Sequence, residues 1–382
     1  MDNSAFTSEA PGKLVDIDDG EKAFVPNPLP PGWTFPARLW PLLSKAKCSM
    51  SLLEGIGRQV STPDLLIRPL QNLEALRSSA LEGTYATPEE LLLYEMELPE
   101  VNSGPDAVKD WKEVFNYTKS LQYGLNSELP ISGRLIKEMH HILLSGVRGD
   151  EKTPGEFRRR QVYIGANHRF IPPPAQLISE AVSDLEKYVN NISNDYDPLV
   201  ACYLMHYQFE TIHPFLDGNG RIGRLLLALM THKWCGFSKP WLYMSSYFDK
   251  HKESYIQKLY NVSAKNDWES WIAFCLEGTV LQAEDTISRC DKLRRLREAY
   301  ISKISDKGGD ARIMVLIDSL FGHPIIKIVD AVKLLDVSYP TAKSDIERLV
   351  SLTILEELSG HIAKAKTYWA PEIVMIAYRD ES

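Results

Sequence analysis

The chain has 382 residues, of which 44 % are hydrophobic and 25 % are charged, and its net charge is −8. This apolar content is enough for a sizeable core and excludes global disorder, and the length allows two or three domains. The negative net charge argues against a protein that coats nucleic acid, although it leaves room for a local basic patch.

Targeting signals are not evident in the sequence. The opening residues, MDNSAFTSEAPGK, lack the basic and apolar stretches of a secretory leader. No apolar run approaches the ~20 residues that a membrane-spanning helix needs. The five cysteines are scattered and form no CxxC pair, which indicates free thiols in a reducing compartment. We therefore expect a cytoplasmic protein without a membrane partner.

The first part of the chain divides into an arm and a helical region. Residues 1–40 are rich in Pro, Gly and Asp and are typical of an extended N-terminal arm, with Trp33 and Trp40 laid on the surface. Over residues 41–108, apolar side chains recur at three- and four-residue spacing, which predicts an N-terminal helical region. The sequence Thr87-Pro88-Glu89-Glu90 predicts a helix start, with Thr as the N-cap and Pro at the first position.

The middle of the chain, residues 109–300, continues with amphipathic helical patterns. Between 155 and 172 the pattern changes, because QVYIG and RFI flank the polar residues 166–168. Short β-prone runs around a polar turn predict a small hairpin. The fold class we expect is mainly α, with one small hairpin inside a helical core.

The last part, residues 308–382, follows a Gly308-Gly309 linker. Three helical patterns and a short hairpin follow in the order of a winged helix-turn-helix. Residues 305–382 contain nine Lys or Arg and twelve Asp or Glu, whereas DNA-binding domains are usually basic. The candidate patch is Lys343, Arg348, Lys364 and Lys366. DNA binding, dimerisation and target docking therefore all stay open for this domain.

The most informative stretch is IHPFLDGNGRIGRLLLALM, residues 212–230. Gly218, Asn219 and Gly220 tolerate unusual backbone angles, and successive N–H groups in such a turn form an anion-binding nest. The apolar run that follows predicts a buried helix, whose N-terminus favours negative charge. Arg221 and Arg224 are three residues apart and suit phosphate, because a guanidinium donates two hydrogen bonds at once.

Two further residues of this stretch suggest chemistry. A carboxylate at Asp217 beside a phosphate site calls for a cation, and Mg²⁺ is the usual one. Pro214 ends the preceding helix and turns His213 towards the loop. A neutral imidazole is a suitable base for a hydroxyl nucleophile near pH 7. Together these residues indicate nucleotidyl or phosphoryl transfer.

The same residues do not fit three other kinds of site. An EF-hand fails because Arg221 and Ala228 occupy positions that must supply ligands. A zinc site made of Cys202, His206 and His213 lacks a fourth ligand at fitting spacing, and His206 is expected to be a core residue. The sequence contains no GxxxxGK[ST] segment, so a P-loop is excluded.

The segment HPFLDGNGRIGR, residues 213–224, resembles the signature of the Fic family of protein AMPylators, HPFx[D/E]GNGRxxR. Upstream, SSALEG at residues 78–83 resembles the family's inhibitory motif, [S/T]xxxE[G/N]. An inhibitory helix before the core and a C-terminal winged helix resemble the class II members. The resemblance implies a helical core over 109–300, with the hairpin as a flap that holds the target by strand addition.

The resemblance also implies roles for the motif residues. His213 would take the proton from a Ser, Thr or Tyr hydroxyl of a target protein, which attacks the α-phosphate of ATP. Asp217 would hold Mg²⁺, Gly218 to Gly220 would form the anion hole, and Arg221 and Arg224 would meet the outer phosphates. The nucleotide-binding set implied in this way comprises Pro214, Gly218, Asn219, Gly220, Arg221, Gly223, Arg224 and, near the adenine, Tyr255. A core role for Tyr255 is equally open.

Regulation follows from the same resemblance. The family's inhibitory motif, matched here by Ser78 and Glu82, would aim the Glu82 carboxylate at Arg224, in the place of the γ-phosphate. Two alternatives stay open: a de-AMPylase that uses the same site, and a DNA-binding regulator whose Fic domain senses nucleotides. A phosphotransferase like the Doc toxins is disfavoured because those members are short and carry a modified motif. A homodimer is a further open expectation.

Overall fold

Most of the chain is α-helical, as the three- and four-residue spacing of its apolar side chains predicts. The computed structural model describes residues 1–17, 20–59, 63–96, 105–191, 195–305, 311–358 and 366–379. The helices up to the signature loop are α1 (Trp40–Gln59), α2 (Asp64–Leu81), α3 (Pro88–Glu95), α4 (Pro105–Asn126), α5 (Gly133–Leu144), α6 (Ile178–Asn190) and α7 (Pro198–Ile212). Those that follow are α8 (Asn219–Trp234), α9 (Ser245–Lys250), α10 (Lys252–Lys265), α11 (Trp268–Ser305), α12 (Ala311–Gly322), α13 (Ile328–Leu335), α14 (Tyr339–Ser351) and α15 (Pro371–Tyr378).

The N-terminal segment contains a β-hairpin, which the expectation of an extended arm did not include. Strands β1 (Gly12–Asp16) and β2 (Lys22–Pro26) pair antiparallel, with Leu14 opposite Phe24. Their β-branched and aromatic side chains favour a strand that is buried on one face. Phe24 is fully buried, and its N–H donates to the carbonyl of Ile171. The hairpin therefore rests on the segment that we expected to form the flap.

The expected flap is a chain reversal with very little strand structure. Ile164 and Phe170 exchange both backbone hydrogen bonds, at 2.9 and 3.1 Å, as an isolated β-bridge. Between them the chain makes a tight 3₁₀ turn over Ala166–His168. The His168 ring pairs with Glu21 of the N-terminal segment, at 3.0 Å between Nδ1 and Oε1. The turn is thus held by the N-terminal segment as well as by its own β-bridge.

Helix α2 lies at the centre of the N-terminal region and contacts α4, α9, α12 and α15. Asn72 on α2 is buried and donates to the Tyr378 hydroxyl at 3.5 Å, which links α2 to the last helix. Beyond α2, Thr87 and Glu90 form a capping box at the start of α3, so the predicted helix start is confirmed. The helix that carries the candidate inhibitory motif therefore packs on both the core and the C-terminal unit.

The C-terminal unit begins after α11, whose 38 residues make it about 57 Å long. Its three predicted helices are present as α12, α13 and α14, and short strands β3 (Ile325–Lys327), β4 (Glu356–Glu357) and β5 (Thr367–Trp369) form a sheet in the order β3-β5-β4. Neither β3 nor α15 was expected. Residues 359–365, which include Lys364 of the candidate patch, lie outside the described residues, as does the Gly308-Gly309 linker.

The basic patch proposed for DNA binding is partly neutralised. Lys343 lies 3.7 Å from Glu347, and Lys366 lies 3.2 Å from Glu357. Both pairs lie at the surface, so they lower the local positive potential without adding much stability. The winged-helix assignment and DNA binding stay predictions.

The expected fold class, mainly α with small sheets, is confirmed. One apolar cluster extends from Leu39 to Tyr378. The domain limits expected from the sequence stay predictions. Within the described residues, no helix is long and apolar enough to cross a membrane.

Candidate active site

The loop between α7 and α8 is shaped by two left-handed residues and one amide. His213 ends α7 with φ 50°, and Gly218 precedes α8 with φ 74°. The Asn219 side chain closes the loop, because it accepts from the Phe215 N–H at 2.8 Å and donates to the Phe215 carbonyl at 2.9 Å. Both the oxygen and the nitrogen of the Asn219 side-chain amide are thus occupied, so Asn219 can offer only its backbone N–H to an anion.

His213 is held as a neutral base. Its Nδ1 lies 3.3 Å from the Glu210 carbonyl, to which it donates, so the lone pair is on Nε2. Burial lowers the pKa of His213 to about 4, against the effect of this hydrogen bond. The imidazole is therefore uncharged at neutral pH and able to accept a proton.

Arg158 holds the His213 backbone in place, a role that the sequence reading missed. Its guanidinium is 2 % exposed and donates to the carbonyls of His213 at 2.9 Å, Arg160 at 3.2 Å and Pro173 at 2.5 Å. Burial lowers the pKa of Arg158 to about 10. One buried cation thus ties the signature loop to the end of the flap segment.

Helix α8 supplies the anion-binding end that the glycines predict. The first N–H groups of an α-helix have no partner within the helix, and they point outward at its N-terminus. Gly220 lies in this first turn, where an added Cβ would collide with the carboxylate of Glu82 and with Arg224. Glu82 therefore occupies the space directly above the helix start.

Glu82 and Arg224 form the central ion pair of the site. Glu82 Oε1 lies 2.8 Å from Arg224 Nη2, and the same guanidinium donates to the hydroxyl and the carbonyl of Ser78 at 2.8 and 3.0 Å. Although burial opposes its ionisation, Glu82 has a lowered pKa because of Arg224. Ser78 and Glu82, both picked from the inhibitory motif, thus meet the same arginine.

Arg221 is oriented differently from Arg224. Its guanidinium is 1 % exposed, donates to the buried carboxylate of Glu113 and lies 3.5 Å from Asp217. Glu113 also accepts from the Thr84 hydroxyl at 2.7 Å, and Thr84 accepts from Arg148 at 3.1 Å. The segment just beyond Glu82 is therefore linked to Arg221 through one carboxylate.

Asp217 is the residue that could hold a cation. Its Oδ1 accepts from the Gly218 N–H at 2.6 Å, and its side chain is 35 % exposed. Its carbonyl accepts from His140 Nε2 at 3.0 Å, since His140 Nδ1 accepts from the Gly155 N–H. No group of three His, Cys, Asp or Glu side chains suited to a metal occurs within the described ranges. A single carboxylate fits Mg²⁺ that phosphate oxygens and water also coordinate.

A cavity of about 470 Å³ opens at this point. The expected residues that line it are Glu82, His213, Gly220, Arg224 and Tyr255. The other expected residues are not among those that line it: Ser78, Pro214, Asp217, Gly218, Asn219, Arg221 and Gly223. The wall also includes the apolar side chains of Ile164, Phe170 and Leu259, together with Arg169. The cavity thus combines charged groups with apolar side chains.

Tyr255 belongs both to this wall and to the core. It is 5 % exposed, stacks on Phe248 with ring centroids 4.4 Å apart, and its hydroxyl donates to His206 Nε2 at 2.8 Å. His206 in turn donates from Nδ1 to the Gly223 carbonyl, so the expectation of a packed core histidine is confirmed.

Glu210 is a second acidic side chain of the cavity that the sequence reading missed. It lies one helical turn before His213 and is the one formally charged residue of α7. A lone acid in an otherwise apolar helix is the signal that could have identified it. Together these groups provide a proton acceptor, an anion-binding helix end and an apolar compartment in one cavity.

Comparison with protein families gives two adjacent matches. Residues 40–126 match the family described as "Fic/DOC family N-terminal", and residues 130–231 match "Fic/DOC family". A Protein adenylyltransferase Fic from Drosophila grimshawi is 31 % identical over 180 residues, which cover 46 % of this chain and 35 % of that protein. Protein adenylyltransferase fic-1 from Caenorhabditis elegans is 34 % identical over 131 residues, covering 32 % of this chain and 25 % of that protein.

Solved structures share the fold. A Fic family protein from Desulfovibrio desulfuricans G20 superposes with a TM-score of 0.59 at 19 % identity, covering 90 % of this chain and 98 % of that one. Fic-1 from C. elegans superposes with a TM-score of 0.53 at 22 % identity, covering 66 % and 74 % respectively. The likeness to the first of these structures covers 90 % of this chain and so extends into the C-terminal unit, whereas the family matches end at residue 231.

Proposed function

The chain belongs to the Fic/DOC family, and on that premise we propose that it is a protein adenylyltransferase that moves AMP from ATP to a Ser, Thr or Tyr hydroxyl of a target protein. The observation that carries the proposal is the neutral His213, which faces the same cavity as Gly220 and Arg224. The chain matches about a third of the length of the relatives that bear this name, so the activity is inferred from the shared site.

The reaction would proceed by in-line displacement at the α-phosphorus. The target oxygen forms a bond to that phosphorus while His213 Nε2 takes the hydroxyl proton. The bond from the α-phosphorus to the bridging oxygen breaks, and pyrophosphate leaves with the electron pair. The first-turn N–H groups of α8 would stabilise the charge that develops on the α-phosphate oxygens.

Arg224 would bind the outer phosphates directly, and Asp217 would do so only through Mg²⁺. Arg224 reaches the cavity and would meet an outer phosphate once Glu82 has left it. Arg221, turned towards Glu113 and Asp217, would act at longer range and orient the Asp217 carboxylate. Mg²⁺, held by Asp217 and phosphate oxygens, supplies charge neutralisation when bound.

Glu82 would keep the enzyme at low activity. It occupies the space above Gly220 and the donor of Arg224 that an outer phosphate needs. The carboxylates of Glu82 and Glu210 both line the cavity and would repel the phosphates of ATP. Because Glu82 also occupies Arg224, the entry of ATP requires Glu82 to move. The proposal is thus an autoinhibited enzyme.

A mass measurement tests the activity. The full chain and its Glu82→Gly variant are incubated with ATP and Mg²⁺, alone and with a cell lysate, and products are analysed by mass spectrometry. We expect an added AMP on Ser, Thr or Tyr of the chain itself or of lysate proteins, and none with His213→Ala. Complete absence of AMP adducts with the Gly variant contradicts the proposal.

The reverse reaction is the alternative that shares this site. A target carrying AMP is incubated with the wild-type chain and with the Glu82→Gly variant. If AMP is released by the wild type and retained by the variant, Glu82 would position water for de-AMPylation. A rate of AMP transfer that rises in the variant favours the adenylyltransferase.

A further inference from the structure

Glu210 presents a carboxylate to the cavity without a hydrogen-bond partner for its buried oxygen. Oε1 is shielded from solvent and bonds to no group among the described residues. Burial raises the pKa of Glu210 to about 7, although Arg224 opposes this shift. A buried carboxylate oxygen without a hydrogen-bond partner is unfavourable and needs an explanation.

The neighbours of Glu210 do not supply a partner. Arg224, the nearest cation that affects it, directs its Nε and Nη2 donors at Ser78 and Glu82. On the other side lies Gly223, where an added Cβ would collide with Glu210 Oε1. The glycine allows α8 to pass close to this carboxylate, so Oε1 packs against α8, while Glu210 as a whole stays partly exposed and lines the cavity.

Building on the proposed function, we propose that Glu210 accepts a hydrogen bond from a sugar hydroxyl of the bound nucleotide and so makes the site selective for ribonucleotides. An ionised carboxylate can only accept, so its natural partner is a donor group of the ligand. Glu210 is thereby a specificity-determining residue. It takes no part in the transfer of AMP.

The position of Glu210 distinguishes the sugar from the other parts of a nucleotide. Phosphate oxygens are acceptors and anions, so a phosphate beside this carboxylate would be repelled. The base suits the apolar side chains of the cavity wall, which include Ile164, Phe170 and Leu259. Glu210 lies one helical turn from His213 and next to Gly223 on the phosphate-binding helix, where the group bonded directly to the phosphates is expected.

Calorimetry with three nucleotides tests this assignment. ATP, 2′-deoxy-ATP and 3′-deoxy-ATP are titrated at pH 8 into the full-length Glu82→Gly variant, in which the cavity is open. A hydrogen bond to a charged group contributes ~1.5–3 kcal/mol, which is roughly a 10- to 100-fold change in Kd. We expect ATP to bind by such a factor more tightly than one of the deoxynucleotides.

The second arm repeats the titrations with Glu210 changed. In Glu82→Gly with Glu210→Ala, the preference for ATP over that deoxynucleotide should fall to about twofold or less. Because removal of a negative charge strengthens binding of every triphosphate, the ratio of the two Kd values is the readout. Glu82→Gly with Glu253→Ala, which removes an exposed acid near the cavity, should keep the full preference.

The outcomes separate this inference from the proposed function. If the Ala variant does not fold, Glu210→Gln, which keeps the side-chain volume, serves in its place and should lower the preference to a few-fold. A preference that either folded variant leaves intact, or that is missing in Glu82→Gly itself, overturns the role of Glu210. If no adenine nucleotide binds to Glu82→Gly, the proposed function fails as well.

Discussion

Glu82 Oε1 lies 2.8 Å from Arg224 Nη2, and Ser78 occupies two further hydrogen-bonding directions of the same guanidinium. Arg224 and Ser78 are buried, whereas the Glu82 side chain is 36 % exposed, so water and salt screen the ion pair in part. In the proposed autoinhibition this arrangement is the resting state, in which the arginine expected to receive an outer phosphate is bound to the residue that follows α2.

Removing Glu82 should activate the chain. In Glu82→Gly, Arg224 gains a free donor and the space above Gly220 opens, so ATP affinity and the rate of AMP transfer should rise by about tenfold or more. Transfer of α-³²P from ATP measures the rate, and calorimetry measures Kd. Glu82→Gln keeps a hydrogen bond without the charge, so its rate of AMP transfer should lie between those of the wild type and the Gly variant. A Gly variant as slow as the wild type shows that Glu82 does not inhibit.

The pH dependence of transfer should reflect the low pKa of His213. Burial lowers this pKa to about 4, so the imidazole stays neutral, and active as a base, throughout pH 6 to 8. As pH falls, loss of activity through protonation of His213 should begin only near the folded pKa, well below 6. A profile of kcat/KM for the Glu82→Gly variant checks this, with His213→Ala as the inactive reference. An acidic limb centred near 6.5 contradicts the assigned environment.

Arg158 should act as a positioning residue. Replacement by Ala releases the carbonyls of His213 and Pro173, and a displacement of about 1 Å at a reacting group can lower a rate by about 100-fold. We expect kcat to fall far more than the affinity for ATP. The adjacent, exposed Arg159→Ala is the matched control and should leave both unchanged. If Arg158→Ala lowers kcat and the affinity for ATP by the same factor, Arg158 has a purely structural role.

Thr84 should form a second restraint on the inhibitory segment. Thr84 lies two residues beyond Glu82. Its hydroxyl donates to Glu113 and accepts from Arg148. Thr84→Val removes both bonds at nearly constant volume, so Glu82 should leave Arg224 more often and basal transfer should rise a few-fold. Thr87→Val, at the helix cap farther along, should lower Tm without activating. Activation that is missing in Thr84→Val and present in Thr87→Val would contradict this restraint.

Local sequence signals were enough to identify much of the site. The loop chemistry of residues 213–224 pointed to an anion site, and the resemblance to the family's inhibitory motif pointed to Ser78 and Glu82. What spacing cannot show is the direction of a buried side chain. Arg221 was expected at the phosphates, yet it turns to Glu113, which is 108 positions away in the chain. Arg158 and Glu210 were missed for the same reason, because each is defined by groups on other elements.

The fold shows the same limit. Amphipathic spacing predicts the long helices and the capping box at Thr87, since these depend on neighbours in sequence. The β1–β2 hairpin, strand β3 and α15 depend on partners far along the chain. Phe24, for example, is buried by Phe6 and Phe170, with ring centroids at 5.4 and 5.9 Å. Pro- and Gly-rich sequence around these strands obscured them.

The contact of β2 with Ile171 has a practical consequence for truncated forms of this protein. A recombinant version that begins at α1 would lack Phe24 and Glu21. It would therefore lose the backbone hydrogen bond to Ile171 and the side-chain hydrogen bond to His168. This part of the cavity wall would then be held by the Ile164–Phe170 bridge and by the side-chain bonds of Arg158 to Pro173 and of Arg169 to Gln257. Residues that carry no catalytic signature thus help to define the shape into which a substrate must fit.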